Sequence, residues 1–164
     1  MSPEFLNMSL ASILKVLAIA ASPISELRGA IPVAITVFHL PWYYAFLVAV
    51  IGNLLPVPLI LLFLDAASRL LARVPLFARW LAWLFRHTRR RGRLIQCYQR
   101  IGLVLFVALP LPITGAWTGA VAAVLFGLRF KHAFLAISIG VVIAGIIVTC
   151  ITLFGWRVFG LLAP

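Results

Sequence analysis

The sequence predicts one all-α integral membrane domain with an inverted repeat. Each half is a re-entrant helical hairpin followed by one transmembrane helix, and basic amphipathic interfacial helices lie between the halves. Of 164 residues, 65% are hydrophobic and 10% are charged, and the mean hydropathy is +1.17. Soluble domains are about half apolar and about a quarter charged, so a soluble fold is excluded. At about 20 residues per span, the length allows roughly four to six membrane segments and no large soluble catalytic domain.

The first repeat, residues 8–64, begins with a short helix and an irregular tip. Residues 1–7 are read as an expression-vector remnant and N-terminal tail, and no cleavable signal is visible. Met8–Ala21 would be a helix of about 21 Å, shorter than a hydrocarbon core of about 30 Å. The tip that follows places an acid, a base and helix-breaking residues in an apolar region: Glu26, Arg28, Pro23, Gly29 and Pro32.

The repeat ends with a predicted transmembrane helix, Trp42–Leu64, which is uncharged. A kink is expected within it, because it contains Gly52, Asn53, Pro56 and Pro58.

Residues 65–100 form a basic region with nine arginines between Arg69 and Arg100. From Leu76 the pattern predicts an in-plane cytoplasmic helix, with one charged face that carries Arg79, Arg86, Arg90 and Arg93. The net charge of +11 is therefore assigned to cytoplasmic loops and anionic lipids. Nucleic-acid binding is not predicted, since no recognition motif accompanies the charge.

The second repeat, residues 101–160, has the same order. Ile101–Leu128 is uncharged and is interrupted by a second tip with Pro110, Pro112, Gly115 and Gly119. The uncharged run Ala133–Trp156 predicts the second transmembrane helix. A shift of 88 residues aligns Val33–Gly52 with Val121–Gly140, with identity at nine of 20 positions.

The distribution of basic residues distinguishes between two possible membrane topologies. If each broken segment spans the membrane, the basic loop Arg129–His132 and the region Arg69–Arg100 face opposite sides, against the positive-inside rule. If each is re-entrant, both basic segments are cytoplasmic, the repeats are inverted and both termini lie outside. The re-entrant topology is preferred. Paired broken helices in inverted repeats indicate a transport site near the midplane, where the tips would meet.

Both tips contain candidate functional residues. An acid buried in a membrane is costly and is a functional hypothesis by default, so Glu26 is predicted to couple protons, unless it only pairs with Arg28. Arg28 can grip an anion with two hydrogen bonds. In the second tip, Thr114 and Thr118 can bind substrate or satisfy backbone carbonyls, and Trp117 can stack on a ligand or fill space. No enzyme motif, metal spacing or cofactor motif is present.

Two motifs carry a family resemblance. Ser25-Glu26-Leu27-Arg28-Gly29-Ala30-Ile31-Pro32 and residues 110–119, Pro-Leu-Pro-Ile-Thr-Gly-Ala-Trp-Thr-Gly, resemble the signatures of the bacterial small multidrug export protein family. This family is grouped with the DedA membrane proteins, which implies two opposed re-entrant hairpins and proton-dependent movement of lipids. The second DedA hairpin carries arginines, whereas Leu109–Ala120 has none, so Arg28 is the one cation of the two tips.

The interpretation favoured by these observations is a proton-coupled transporter of the bacterial inner membrane. Its substrate would be a lipophilic compound or a polyprenyl-phosphate lipid, and membrane lipids and a second copy in a dimer are the expected partners. The alternative is a membrane scaffold or lipid-organising protein that does not transport.

Overall fold

The computed structural model describes residues 3–71, 93–111 and 114–162, and these residues form seven α-helices and no strand. The all-α prediction is therefore confirmed for this part of the chain. The helix predicted from Leu76 lies outside it. In chain order the helices are α1 (Pro3–Ala21), α2 (Glu26–Thr36), α3 (Trp42–Leu54), α4 (Pro56–Leu71), α5 (Arg93–Ala108), α6 (Ala116–Leu125) and α7 (Phe130–Leu162).

The first helix is longer than predicted. It begins at Pro3 rather than Met8, because a proline at the first helical position has a suitable φ and lacks an N–H that would have no partner there. Within the described residues, Leu10–Ala21 is counted as a shorter apolar helix and not among the helices long and apolar enough to cross a membrane.

Two segments of the described chain can cross a membrane, Trp42–Leu64 and Phe130–Gly155. The first segment coincides with one predicted transmembrane run, and the second includes all of the other, Ala133–Trp156, except its last residue. The first segment is broken at Leu55, where α3 ends and α4 follows, and the second is part of the continuous helix α7.

The helices form two compact units, divided at Leu55/Pro56 and at Gly140/Val141. In the first unit, α1, α2 and α3 pack against one another, and α7 contributes its part from Val141 onward. Its core includes Val16, Ala20, Ile31, Ala34, Ala45 and Ala49. In the second unit, α6 packs against α4 and α5, and the start of α7 belongs to it. Its core includes Val57, Leu103, Ala116, Ala120, Ala123 and Ile137.

One close helix contact occurs in both halves. Gly52 of α3 lies against α1, where an added Cβ would be 2.8 Å from Ala20 Cβ and 2.9 Å from the Leu17 carbonyl oxygen. At the equivalent position, Gly140 of α7 lies against α5, with corresponding distances of 2.7 Å to Val107 Cβ and 2.9 Å to the Val104 oxygen. The 88-residue repeat therefore has a counterpart in packing. The inverted relation of the halves stays a prediction.

Both halves also share a helix ending. His39 follows α2 with a φ of 51°, and Gly127 follows α6 with a φ of 65°, at positions related by the same shift. The next N–H in each case, that of Leu40 or Leu128, donates back to a carbonyl of the preceding helix, at 2.9 and 3.0 Å respectively. This left-handed turn, which favours glycine, leads the chain into α3 and into α7.

Candidate functional site

The first tip is a short turn, Ser22–Ser25, between α1 and α2. The Glu26 N–H donates to the Ser22 carbonyl at 3.2 Å, and the Ile24 N–H donates to the Ser22 hydroxyl oxygen at 3.3 Å. Pro23 is exposed in this turn. Serine thus supplies acceptors that hold the turn between two helix ends.

Of the three helix-breaking residues predicted for this tip, Gly29 and Pro32 lie in α2 instead. Pro32 is inside the helix, and the expectation that it breaks the chain there is wrong. A proline already has a helical φ, but it gives the Arg28 carbonyl no N–H donor and its ring crowds that carbonyl, and α2 continues to Thr36 despite both costs. Gly29 lies in the first turn of α2, where its N–H donates to the Ser25 carbonyl at 2.9 Å.

Glu26 is the first residue of α2 and is buried, with 7% of its surface exposed. Its backbone φ of 46° is in the left-handed region, which costs an L-residue about 1–2 kcal/mol. A residue held at such a φ is fixed by its surroundings, and residues of this kind cluster at functional sites.

Arg28 is the charged partner of this acid. Its Nη2 atom lies 3.6 Å from Glu26 Oε2, and its side chain is 27% exposed. The distance satisfies an ion pair but exceeds a normal charge-assisted hydrogen bond of about 2.8 Å. Arg28 can therefore pair with Glu26 and still present part of its guanidinium to another group.

The second tip joins α5 to α6. The Thr114 hydroxyl donates to the Leu109 carbonyl at 2.6 Å and accepts the Leu111 N–H at 3.2 Å. The Thr118 hydroxyl donates to the Gly115 carbonyl at 3.4 Å. The Thr114 hydroxyl thus bonds backbone groups of the turn, as one of the two sequence alternatives expected. The Gly115 carbonyl that accepts from Thr118 already accepts the Gly119 N–H at 2.8 Å, so it is not a carbonyl freed by the helix break. The role of both hydroxyls toward a substrate stays a prediction.

The remaining residues of this tip are divided between turn and helix. Pro110 and Gly115 lie in the turn, and Pro112 lies outside the described residues. Trp117 is half-buried in the first turn of α6. Gly119 is also in α6 rather than in the turn. It lies close to α5, where an added Cβ would be 2.5 Å from Val107 Cγ2. This glycine therefore serves helix packing.

The structure places these candidates in two sets. Glu26 and Arg28 belong to the first unit, and Thr114, Trp117 and Thr118 belong to the second. That the two tips meet near the midplane stays a prediction. Among the described residues, no cluster of three or more His, Cys, Asp or Glu side chains could hold a metal ion.

Sequence reasoning did not assign Asn53 to the site. Its side chain is 1% exposed, and its Oδ1 atom has no hydrogen-bond partner within the described part of the chain. An asparagine followed by two prolines inside an uncharged run was the available signal.

The fold and the first tip define a small helical membrane protein with a buried acid–base pair at a helix break. The family model described as putative small multi-drug export protein matches residues 26–147. The chain belongs to this family, which confirms the resemblance seen in its two motifs. The description of this family names a class of transport proteins and not a class of enzymes. The grouping with DedA proteins stays a prediction. Neither the curated proteins nor the solved structures contain a match.

Proposed function

We propose that this protein is a proton-coupled secondary transporter of the bacterial inner membrane, with Glu26 as the proton carrier. The observation that supports this most strongly is a buried carboxyl group, 7% exposed, beside an arginine at a break between two helices. A buried acid of this kind is expensive in a membrane protein and is usually kept for function.

The pair supplies a coupling mechanism. An ionised Glu26 holds Arg28, with the two charged groups 3.6 Å apart. Protonation of Glu26 removes its negative charge, which frees the guanidinium to bind the anionic head of a polyprenyl-phosphate lipid. Loss of the proton restores the pair and releases the anion. A lipophilic cation would instead compete with the proton for the carboxylate.

The experiment is a proton-flux assay in liposomes that contain the purified protein. Internal pH is followed with a dye under an imposed pH gradient, while undecaprenyl phosphate or a lipophilic cation is added. Wild-type protein should give substrate-dependent flux, and Glu26→Gln should give none, because the amide has nearly the same shape but does not take up or release a proton. Equal flux in both proteins would reject the role of Glu26. Folded wild-type protein without flux on either substrate would favour the scaffold alternative.

A further inference from the structure

The break between α3 and α4 leaves hydrogen-bond acceptors without helical donors. In a continuous helix, the N–H of residue 56 would bond the Gly52 carbonyl, and that of residue 58 would bond the Leu54 carbonyl. Both positions are proline, which has no N–H. With Asn53 Oδ1, which lacks a partner among the described residues, three acceptor oxygens lie on three consecutive residues.

The electrostatic surroundings are those of a cation site. Asn53 lies in the last turn of α3, whose C-terminal end carries partial negative charge. The neighbouring Gly52 contacts α1 at Leu17 and Ala20, close to the C-terminal end of that helix at Ala21. Two negative helix ends are therefore near the same acceptors. Asn53 Oδ1 is buried without a partner among the described residues, which is costly, so a positively charged ligand would be bound favourably beside it.

This arrangement is specific to the first half of the protein. Gly52 and Gly140 make equivalent contacts, but the residues that follow differ. The positions equivalent to Asn53, Pro56 and Pro58 hold Val141, Ala144 and Ile146, and α7 continues through them. The repeated architecture therefore does not need the break.

We propose that this break binds a small monovalent cation, Na⁺, through Asn53 Oδ1 and the carbonyl oxygens of Gly52 and Leu54. Broken membrane helices bind Na⁺ through such carbonyls and helix C-terminal ends. A divalent ion would require carboxylates, and these three ligands are neutral. The proposal goes beyond proton coupling and does not depend on it.

Thermal unfolding of the purified full-length protein tests the site, with NaCl compared with choline chloride at equal ionic strength. Because a ligand of the folded state raises its stability, the wild-type Tm should rise with Na⁺ relative to choline. Asn53→Leu should abolish this rise. Its Tm in choline chloride should be equal or higher, since it removes a buried acceptor without a partner.

Two further variants complete the test. Pro56→Ala supplies an N–H to the Gly52 carbonyl and should weaken the apparent Na⁺ affinity by about tenfold, the effect of one lost ligand oxygen. The control is Thr149→Val, because Thr149 is also buried but its hydroxyl already donates to the Gly145 carbonyl at 2.7 Å. It should keep the full Na⁺ response.

The proposal is overturned if wild-type protein responds equally to both salts, which would indicate a buried water instead of an ion. It is also overturned if Asn53→Leu keeps the Na⁺ response. If that variant does not fold, an unchanged response in Pro56→Ala has the same meaning. Glu26→Gln should retain the Na⁺ response whatever its proton flux, so the two proposals fail separately.

Discussion

At the first residue of α2, a buried carboxylate is combined with a left-handed backbone and an ion pair of 3.6 Å. The first two features cost free energy: desolvation of the Glu26 carboxylate, and about 1–2 kcal/mol for its φ of 46°. Asparagine or glycine would tolerate this backbone better. A glutamate here is therefore explained by the chemistry of its carboxyl group better than by local folding.

Arg28 provides a prediction that distinguishes the two substrate classes. Arg28→Lys keeps the charge but loses the planar fork that binds phosphate with two hydrogen bonds. We expect it to raise the KM for a polyprenyl-phosphate lipid about tenfold, the value of one charge-assisted hydrogen bond, and to change the KM for a lipophilic cation little. The measurement is the initial rate of proton flux against substrate concentration. An equal change for both substrates would remove Arg28 from phosphate recognition.

At the scale of helices, the glycine contacts are the most constrained feature. We expect Gly52→Ala and Gly140→Ala each to destabilise the protein by about 1–3 kcal/mol, because the new Cβ would lie within 2.9 Å of a backbone oxygen. Gly102→Ala is the matched control. It has no atom within 4 Å of the added Cβ and lies in α5, so it should stabilise slightly. Thermal unfolding in detergent measures all three, and similar Tm values would contradict the packing.

The two helix endings give a second prediction at this scale. His39→Gly should stabilise the protein by about 1 kcal/mol, because glycine adopts the φ of 51° without steric strain. Gly127→Ala should destabilise it by a similar amount at the equivalent position. The Tm difference between the two variants is the observable. If the Tm of both variants changed in the same direction, the two helix endings would not be equivalent.

The sequence predicted most helices, and the exceptions have physical causes. The two uncharged runs predicted the segments that can span a membrane, since apolar length dominates that choice. Pro32 was misassigned because proline disfavours helix interiors on average, yet α2 continues through it despite the lost hydrogen bond and the crowding of the Arg28 carbonyl. The acceptor role of Asn53 was missed because it depends on which groups surround it in three dimensions.

At the scale of the whole molecule, the repeat predicts opposite locations for equivalent loops. Tyr43 and Lys131 are related by the 88-residue shift and are both exposed. In a Cys97→Ser, Cys150→Ser background, Tyr43→Cys should react with an impermeant thiol reagent added to spheroplasts. Lys131→Cys should react only after permeabilisation, because its basic loop is cytoplasmic. Labelling of both from the same side would contradict the inverted topology.

The candidate site was predictable from the sequence in part. Glu26 and Arg28 stood out because charged residues are rare in an apolar segment, and the structure pairs them. Thr114 and Thr118 could not be assigned, since a hydroxyl beside a helix break serves a carbonyl as readily as a ligand. The periodicity of apolar residues identifies helices but does not specify how two tips are arranged in three dimensions, so the meeting of the tips stays a prediction.

The most direct test of the central claim compares substrate-dependent proton flux for Glu26→Asp and Glu26→Gln in liposomes. Aspartate keeps a titratable carboxyl group on a shorter side chain, whereas glutamine keeps the length of the side chain and loses the titratable group. If Glu26 carries the proton, Glu26→Asp should retain measurable flux and Glu26→Gln should have none. The opposite result, proton flux in Glu26→Gln and no flux in Glu26→Asp, would contradict proton coupling at this residue. It would show that the length and packing of the side chain matter instead of its carboxyl group.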